Sequence, residues 1–204
     1  MTQTPQFPAF EGFPKIARLS REVYITEKID GTNAQVYITD DGKIYAGSRN
    51  QWITPQQDNY GFARWVAEHA EELLKLGPGR HFGEWWGAGI QRGYGLVGND
   101  KRFSLFNVER WCLHGNLPQP IPQPDPRKTK MQDVLPPCVG LVPLMHKGIF
   151  STTDITALIE NLRVGGSWAV PGYMNPEGIV IYHVAAGVGF KKTLVKDETP
   201  KSKA

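Results

Sequence analysis

The stretch EKIDGTNAQVYI, residues 27–38, joins two segments in which apolar and polar residues alternate. Such alternation is typical of half-buried β-strands, and an Asp-Gly pair is a strong signal for the tight turn of a hairpin. We therefore predict two antiparallel strands with Asp30-Gly31 in the turn between them. The apolar residues of the first strand share one face, so Lys28 lies on the other face and points into the groove that the sheet forms. This lysine is either a solvated strand residue or a nucleophile.

The composition is that of an ordinary folded, water-soluble protein. The chain has 204 residues, of which 40% are hydrophobic and 21% are charged. A net charge of +3 is compatible with an anionic partner but does not require one. The two cysteines lack metal-ligand spacing and are too few for a disulfide framework. Neither a signal peptide nor a membrane-spanning apolar run is evident, so we expect a cytoplasmic protein with no membrane partner.

Further runs along the chain, bounded by glycine, proline or aspartate, predict more strands. These strand-like runs are residues 22–29, 32–39, 43–48, 81–90, 102–111, 139–145, 177–184 and 189–195. Two segments have apolar residues at helical spacing instead, namely residues 60–76 and residues 153–162, the second with Thr152 or Thr153 as its predicted N-cap. Many antiparallel strands with few helices predict an α+β fold.

We expect a single domain over residues 1–195, followed by a charged tail at 196–204. Prolines at every second position from 118 to 126 predict an extended, polyproline-like loop. Strand-like sequence resumes directly after this loop. We therefore interpret residues 115–137 as a Pro-rich insertion within the domain and not as a domain boundary.

Four short pieces each place charged residues on or beside an apolar strand. They are EKIDG (27–31), FGEWWG (82–87), PEGIVIY (176–182) and FKKT (190–193). Taken singly, edge lysines and rim glutamates are common surface features. Together the pieces supply one candidate nucleophilic lysine, two carboxylates and two further lysines. This is the set of groups needed for chemistry on a nucleoside triphosphate.

In this order, the pieces resemble the signature motifs of the covalent nucleotidyltransferase superfamily, which includes ATP-dependent DNA and RNA ligases and mRNA capping enzymes. Two further pieces, SRN (48–50) and SLFNV (104–108), resemble other motifs of the superfamily. The resemblance runs over residues 13–195 and is closest to the RNA ligase branch that includes double-strand-repair phage RNA ligases. It implies an antiparallel-sheet nucleotidyltransferase (ATP-grasp-like ligase adenylation) domain with few helices.

The resemblance also implies a three-step reaction that uses ATP and Mg²⁺ or Mn²⁺. Lys28 attacks the α-phosphate of ATP and expels pyrophosphate. The AMP then passes to the 5′-phosphate of a polynucleotide, and a 3′-hydroxyl displaces it. The implied partner is a nucleic acid with 5′-phosphate and 3′-hydroxyl ends, with RNA favoured over DNA.

Three lysines carry the implied catalysis. Lys28 must react as a neutral amine, and positive neighbours disfavour its ammonium form. We expect Lys191 and Lys192 to be those neighbours and to stabilise the charge that develops on the phosphates. Family members usually have two lysines separated by one residue here, and Thr193 stands in the second of these positions. Either Lys192, Lys196 or no residue takes the second role.

The carboxylates take different implied roles. Glu84 would bind the ribose hydroxyls, and Glu177 would bind the nucleotide and hold a divalent cation. The alternative is that both glutamates are structural and pair with nearby arginines. Asp30 and Gly31 belong to the nucleotide-binding turn after Lys28, with Asp30 closing the turn in preference to binding metal.

Other residues would contact the phosphates and the base. Arg49 would contact phosphate through its planar guanidinium group. Phe106 would stack on the purine, although a core phenylalanine is an alternative. Glu27 would accept a hydrogen bond from the adenine amino group, which favours ATP over GTP. Asn107 stands where the family more often has an acidic residue.

The leading hypothesis is an ATP-dependent RNA ligase. An ATP-dependent DNA ligase and a GTP-using capping enzyme are alternatives within the superfamily, and a nucleotide- or nucleic-acid-binding module with weakened catalysis is an alternative outside the enzyme class. The chain ends shortly after FKKT, whereas ligases and capping enzymes normally continue into an OB-fold domain. We therefore expect no C-terminal OB domain.

Overall fold

The computed structural model describes residues 8–112, 135–195 and 197. The described residues form two β-sheets that face each other, and helices cover the outer sides of both sheets. The antiparallel sheets and few helices confirm the predicted α+β fold. Most of the proposed Pro-rich insertion and all of the charged tail except Asp197 lie outside the described residues.

The smaller sheet carries Lys28. It has four antiparallel strands in the order β10-β9-β1-β8. Their bounds are Glu22–Lys28 for β1, Leu144–Ile149 for β8, Gly178–His183 for β9 and Val188–Thr193 for β10. The first and the last motif-bearing strands therefore lie on either side of β9, which follows the PEGIVIY glutamate.

The larger sheet has six strands in the order β4-β3-β2-β5-β6-β7 and is antiparallel except for the β6–β7 pair. The bounds are Thr32–Ile38 for β2, Ile44–Gly47 for β3, Trp52–Ile53 for β4, Gly79–Gly87 for β5, Lys101–Leu105 for β6 and Val139–Leu141 for β7. The central strand β5 carries FGEWWG.

Four α-helices are present among the described residues: α1 at Phe62–Glu68, α2 at Ala70–Leu73, α3 at Val108–Cys112 and α4 at Thr152–Gly165. None of them is long and apolar enough to span a membrane. Ser151 caps α4 by accepting a hydrogen bond from the Asp154 amide, so the prediction of Thr152 or Thr153 as N-cap is wrong by one or two positions. The predicted helix over residues 60–76 is divided at His69, whose φ of −108° is not helical.

Three apolar clusters hold the layers together. One packs α1 and α2 onto the six-stranded sheet, and a second packs α4 onto the four-stranded sheet through residues such as Ile25 and Leu162. The third lies between the sheets and includes Tyr24 of β1 and Trp86 of β5. The two motif-bearing strands thus meet face to face, and their alternating side chains decide which residues point into the space between the sheets.

The prediction of a hairpin at Asp30-Gly31 is wrong, because β1 and β2 belong to different sheets. The Asp-Gly pair carries the chain from one sheet to the other. The second Asp-Gly pair, Asp41-Gly42, does connect a hairpin between β2 and β3, and Gly42 has the positive φ of 79° that favours glycine. The same dipeptide therefore has two different roles within a short stretch of chain.

The predicted strand over residues 102–111 is correct only in its first half. Strand β6 ends at Leu105, and α3 begins at Val108. The Asn107 side-chain oxygen accepts a hydrogen bond from the Arg110 amide at 3.0 Å, which is the geometry of a helix N-cap. Asn107 therefore caps and starts helix α3.

Candidate active site

Lys28 is the last residue of β1, and alternation places it on the same face as Tyr24, between the two sheets. Its Nζ lies 2.6 Å from Oε2 of Glu177, and the side chains are 21% and 3% exposed, respectively. Glu177 directly precedes Gly178, the residue that pairs with Lys28 in the β1–β9 register. Strand pairing therefore brings together two residues that are 149 positions apart in the sequence.

Glu84 of β5 faces the same space from the opposite sheet. Its Oε1 accepts a hydrogen bond from the Gly31 amide at 3.0 Å, and its Oε2 accepts one from the Asn33 side chain at 3.3 Å. Burial raises the pKa of Glu84 to about 7, and the positive charge of Lys28 opposes this rise. Near neutral pH the protonated and ionised forms of this carboxyl group are therefore both populated.

Gly31 is required by close packing. A Cβ atom at this position would lie 2.4 Å from the Trp85 carbonyl oxygen and 2.7 Å from Cβ of Trp86. Only a residue without a side chain can bring its amide this close to β5 and donate to Glu84. The crossing between the sheets is thereby fixed next to Lys28.

Asp30 forms an ion pair across the site. Its Oδ2 accepts from Nε of Arg92 at 3.0 Å, and its amide donates to the Tyr94 hydroxyl at 3.0 Å. Burial raises the pKa of Tyr94, so this phenol stays protonated. The expectation that Asp30 closes a hairpin turn is wrong, because its carboxylate instead ties the crossing to the loop after β5.

Arg92 was not identified from the sequence. Besides Asp30, its guanidinium group contacts the side-chain and main-chain oxygens of Asn175, at 2.7 and 3.0 Å, just before Glu177. Arg92 therefore links the segment that follows Lys28 to the segment that carries Glu177. The available signal was the glycine-studded loop, in which Gln91 and Tyr94 adopt positive φ values of 48° and 53°. Such strain in residues other than glycine often marks a functional site.

The last strand places its two lysines on opposite faces. Lys191 and Thr193 share the face of Lys28, since Thr193 and Lys28 both pair with Gly178. Lys192 pairs with Ile179 on the face covered by α4, and its Nζ lies 3.2 Å from Asp197. Lys191 therefore lies on the face that carries Lys28 and Lys192 does not, so the predicted catalytic role of Lys192 conflicts with the pleat of β10.

The charges around Lys28 also differ from the prediction. Glu177 forms an ion pair with Lys28 at 2.6 Å, and the charge of Lys28 lowers the pKa of the Glu84 carboxyl group. Positive neighbours were expected instead on the condition that the last strand lies beside the first, whereas β9 lies between β1 and β10. The lysine is thus positioned by carboxylates in this state of the protein.

Glu27 lies on the face of β1 opposite to Lys28. Its Oε1 accepts from the Ser167 hydroxyl at 2.6 Å, and its Oε2 accepts from the amides of Trp168 and Ala169, both at 2.8 Å. Burial raises the pKa of Glu27, and these three hydrogen bonds oppose the rise. The carboxylate fastens the segment after α4 to β1. These three bonds hold the carboxylate on the face away from Lys28, and the contact with adenine stays a prediction.

Arg49 and Phe106 lie at the accessible side of the six-stranded sheet. Arg49 is exposed in the β3–β4 connection and has neither a hydrogen bond nor an ion pair within the described part of the chain. Phe106 follows β6 and is 42% exposed, so the alternative of a core phenylalanine is wrong. Since Ser104 pairs with Glu84, Phe106 lies two residues further along the face that carries Glu84.

Within the described residues, no group of three His, Cys, Asp or Glu side chains could hold a metal ion. Glu177 is therefore not one of a preformed set of protein ligands for a metal ion. A site with a single carboxylate suits Mg²⁺, which usually keeps several waters and binds one or two carboxylates together with substrate phosphates.

Residues 21–196 match the family model described as RNA ligase. None of the curated proteins compared with the chain matches it. The fold is similar to that of solved structures of Naegleria gruberi RNA ligase mutants.

One such mutant, with ATP and Mn, has a TM-score of 0.56 and 22% identity, covering 84% of this chain and 48% of that chain. A second mutant with ATP and Mn has a TM-score of 0.55 and 21% identity, covering 92% and 57%. A third, with AMP and Mn, has a TM-score of 0.54 and 21% identity, covering 92% and 57%. At these identities the likeness concerns the fold, and the chain spans about half the length of these structures.

The family match covers most of the 204 residues, and it includes the strands that carry Lys28, Glu84 and Lys191 as well as the Glu177 that precedes β9. The similar structures have the same fold and are themselves RNA ligases. The chain therefore belongs to the RNA ligase family.

Proposed function

We propose that this chain performs the nucleotidyl-transfer chemistry of an ATP-dependent RNA ligase, with Lys28 as the residue that becomes adenylated. The observation that carries the proposal is the position of Lys28 between the two sheets, 2.6 Å from buried Glu177, with Glu84 facing the same space. The similar Naegleria gruberi structures contain ATP or AMP together with Mn, which supports a nucleotide and a divalent cation as ligands.

In the first step, Nζ of Lys28 attacks the α-phosphorus of ATP. A nitrogen–phosphorus bond forms, and the bond between the α-phosphorus and the bridging oxygen breaks to release pyrophosphate. Lys28 must first lose a proton, and Oε2 of Glu177 is within the distance expected of a general base. The ion pair seen in the structure thus holds the amine in place and supplies the acceptor for its proton.

In the remaining steps, a 5′-phosphate of RNA attacks the adenylated lysine and takes over the AMP. A 3′-hydroxyl then attacks the resulting 5′-phosphate end, seals the strand and releases AMP. An RNA substrate with these two ends is part of the proposal, because the family assignment favours RNA over DNA.

The residues around Lys28 would bind the nucleotide. Glu84 would accept hydrogen bonds from the ribose hydroxyls, because its carboxylate points into the space between the sheets. Lys191 is exposed on the face of Lys28 and would bind the phosphates. Arg49 would also bind phosphate, since no carboxylate neutralises it among the described residues. Phe106 would stack on the purine.

A bound Mg²⁺ ion fits this donor set. Glu177 would be its protein ligand, with ATP phosphates and water completing the oxygen shell. The ion would neutralise charge on the triphosphate when bound. Because Glu177 also binds Lys28, the same carboxylate would position both the nucleophile and the cation.

The proposal is tested by incubating the purified protein with ATP labelled at the α-phosphate and Mg²⁺, followed by denaturing electrophoresis. We expect a covalent label that depends on Mg²⁺ and is absent from Lys28→Ala. Lys43→Ala is the matched control, since Lys43 is an exposed lysine paired with Asp41 at a hairpin turn, and it should label like the wild type. Labelling of Lys28→Ala would contradict the assignment.

Sealing is tested separately with nicked RNA, RNA–DNA hybrid and DNA duplexes. The proposal predicts that the RNA nick is sealed faster than the DNA nick. Faster sealing of DNA would favour the DNA ligase alternative. A protein that binds ATP without ever acquiring the label would be a binding module.

A further inference from the structure

An exposed cluster of aromatic side chains lies on strands β2, β3 and β4 of the six-stranded sheet. None of its residues has a role in the proposed nucleotide chemistry. The cluster, here called the aromatic face, consists of Tyr37, Tyr45, Trp52 and Arg80. These side chains lie on one surface, because Tyr37 pairs with both Tyr45 and Arg80 on the neighbouring strands. Trp52 joins them because it pairs with Gly47, which is two residues after Tyr45. The three ring centroids are 5.8 to 6.2 Å apart. The rings therefore form one continuous surface.

Arg80 lies over this surface. Its guanidinium carbon is 4.5 Å from the Tyr37 ring centroid and 5.3 Å from that of Trp52, and the group donates to the Gln35 side-chain oxygen at 3.0 Å. Within the described residues Arg80 forms no ion pair with a carboxylate. Its charge remains accessible to an external anion, while the rings fix its position.

These large rings leave much apolar surface exposed to water, which is energetically unfavourable. Tyr45 and Trp52 are 45% and 48% exposed, and Phe82 and Phe106 on the same side of the sheet are 51% and 42% exposed. Contiguous exposed apolar surface of this kind often marks a binding site. Aromatic rings combined with an unneutralised arginine match the chemistry of an unpaired nucleic-acid strand, which offers base faces and phosphates.

The aromatic face also adjoins the nucleotide site. Arg80, Phe82 and Glu84 alternate along β5 and share one face. At about 3.4 Å per residue, Arg80 lies about 14 Å from Glu84, a distance covered by about four stacked nucleotides. A strand whose 5′ end is held at Lys28 can therefore reach the aromatic face.

We propose that the aromatic face binds an unpaired segment of the RNA substrate, with bases stacked on Tyr45 and Trp52 and a phosphate held by Arg80. The identity of the strand as a ligase substrate rests on the proposed function. Stacking on aromatic rings tolerates any base, so the face binds without sequence preference. The aromatic face adds contacts to the RNA beyond the 5′ end that reacts.

The test measures binding of a 5′-phosphorylated single-stranded oligoribonucleotide that contains 2-aminopurine, whose fluorescence is quenched by stacking. Trp52→Leu and Tyr45→Leu keep apolar bulk but remove the ring, and Arg80→Ala removes the charge. Each ring variant should weaken binding by at least about 10-fold, within the range of about 5- to 150-fold typical for loss of one stacked base. The Arg80 variant should also reduce the salt dependence of binding.

Matched controls lie beside α4, on the other side of the molecule. Trp168 is 46% exposed and donates to Asn161 of α4, and Arg163 of α4 pairs with Glu160. Trp168→Ala and Arg163→Ala should bind RNA like the wild type. Thermal unfolding of every variant separates loss of binding from loss of fold.

Formation of the Lys28–AMP adduct is measured in the same variants, which separates this inference from the proposed function. We expect weaker RNA binding with wild-type adduct formation. Folded ring variants that bind the oligoribonucleotide as tightly as the wild type would overturn the inference even if Lys28 is adenylated. Absence of any adduct in the wild type, with RNA binding that still depends on Trp52, would overturn the proposed function and leave the face as an RNA-binding surface.

Discussion

Lys28 and Glu177 form a 2.6 Å ion pair in which the carboxylate side chain is only 3% exposed. A carboxylate buried to this extent requires a compensating partner, because removal of an ion from water is costly. The β1–β9 register provides that partner from a distant part of the sequence. The pair therefore connects the fold of the smaller sheet to the chemistry of the site.

Glu177→Gln tests the role of this pair. The substitution keeps the shape of the side chain and one acceptor oxygen, but it replaces the other oxygen with an NH2 donor and removes the charge and the proton acceptor. We expect the rate of lysine adenylation to fall by about 100-fold or more, the range typical of general acid–base groups. The rate is measured in a single turnover with labelled ATP. A rate close to that of the wild type would show that Glu177 neither accepts the proton nor contributes to cation binding.

Glu84 gives a prediction about stability and pH. Burial raises its pKa from 4.5 to about 7 in the folded state, so between these values the folded protein binds more protons than the unfolded protein. Stability should therefore decrease as the pH rises from about 4.5 to about 7. The contribution of this one group is about 3 kcal/mol.

The measurement is urea unfolding of the wild type and Glu84→Gln at several pH values. The variant lacks the titrating group, so the difference in the free energy of unfolding between the two proteins should shift in favour of the variant as the pH rises. Parallel pH profiles for the two proteins would contradict the raised pKa.

Gly31→Ala tests the close crossing between the sheets. The added Cβ would lie 2.4 Å from the Trp85 carbonyl oxygen, so the backbone must move and the hydrogen bond from the Gly31 amide to Glu84 must lengthen. We expect a loss of about 1 to 3 kcal/mol of stability together with slower adenylation. Gly165→Ala is the control, because a Cβ at that position has no neighbour within 4 Å. Equal behaviour of the two alanine variants would show that the crossing tolerates a side chain.

Arg92→Lys tests whether Arg92 positions the site. A lysine keeps the charge but cannot contact Asp30 and Asn175 simultaneously through a planar group. We expect slower adenylation at saturating ATP, with a smaller change in the apparent affinity for ATP. A change confined to thermal stability, with normal adenylation of the folded fraction, would indicate a purely structural role.

The sequence predicts the parts of the site that depend on strand alternation and motif order. Alternation places Lys28 on the face opposite Ile25, and the structure shows this arrangement. The order of the motifs groups Lys28, Glu84 and Glu177, and the structure brings these three residues together. The first of these predictions holds because strand periodicity is local. The grouping of the three residues came from the resemblance to the superfamily, because Glu84 lies in the opposite sheet and no local pattern relates it to Lys28.

Features set by long-range pairing were missed. Strands β1 and β2 belong to different sheets, and Gly31 between them packs closely against β5. The sequence around Gly31 contains no pattern that indicates this packing. The face on which Lys192 lies depends on the register of β10 with β9. The hydrogen-bond partners of Glu27 lie in the segment after α4, far from Glu27 in the sequence. Arg92 lies in an irregular loop, where neither helical nor strand periodicity indicates the direction of a side chain.

Mapping the site of adenylation tests directly whether Lys28 is the nucleophile. The protein is incubated with ATP and Mg²⁺, digested, and analysed by mass spectrometry. The proposed function predicts one adenylate group, attached to the peptide that contains Lys28. Attachment to another lysine such as Lys191, or a correctly folded protein that never acquires the group, would contradict it.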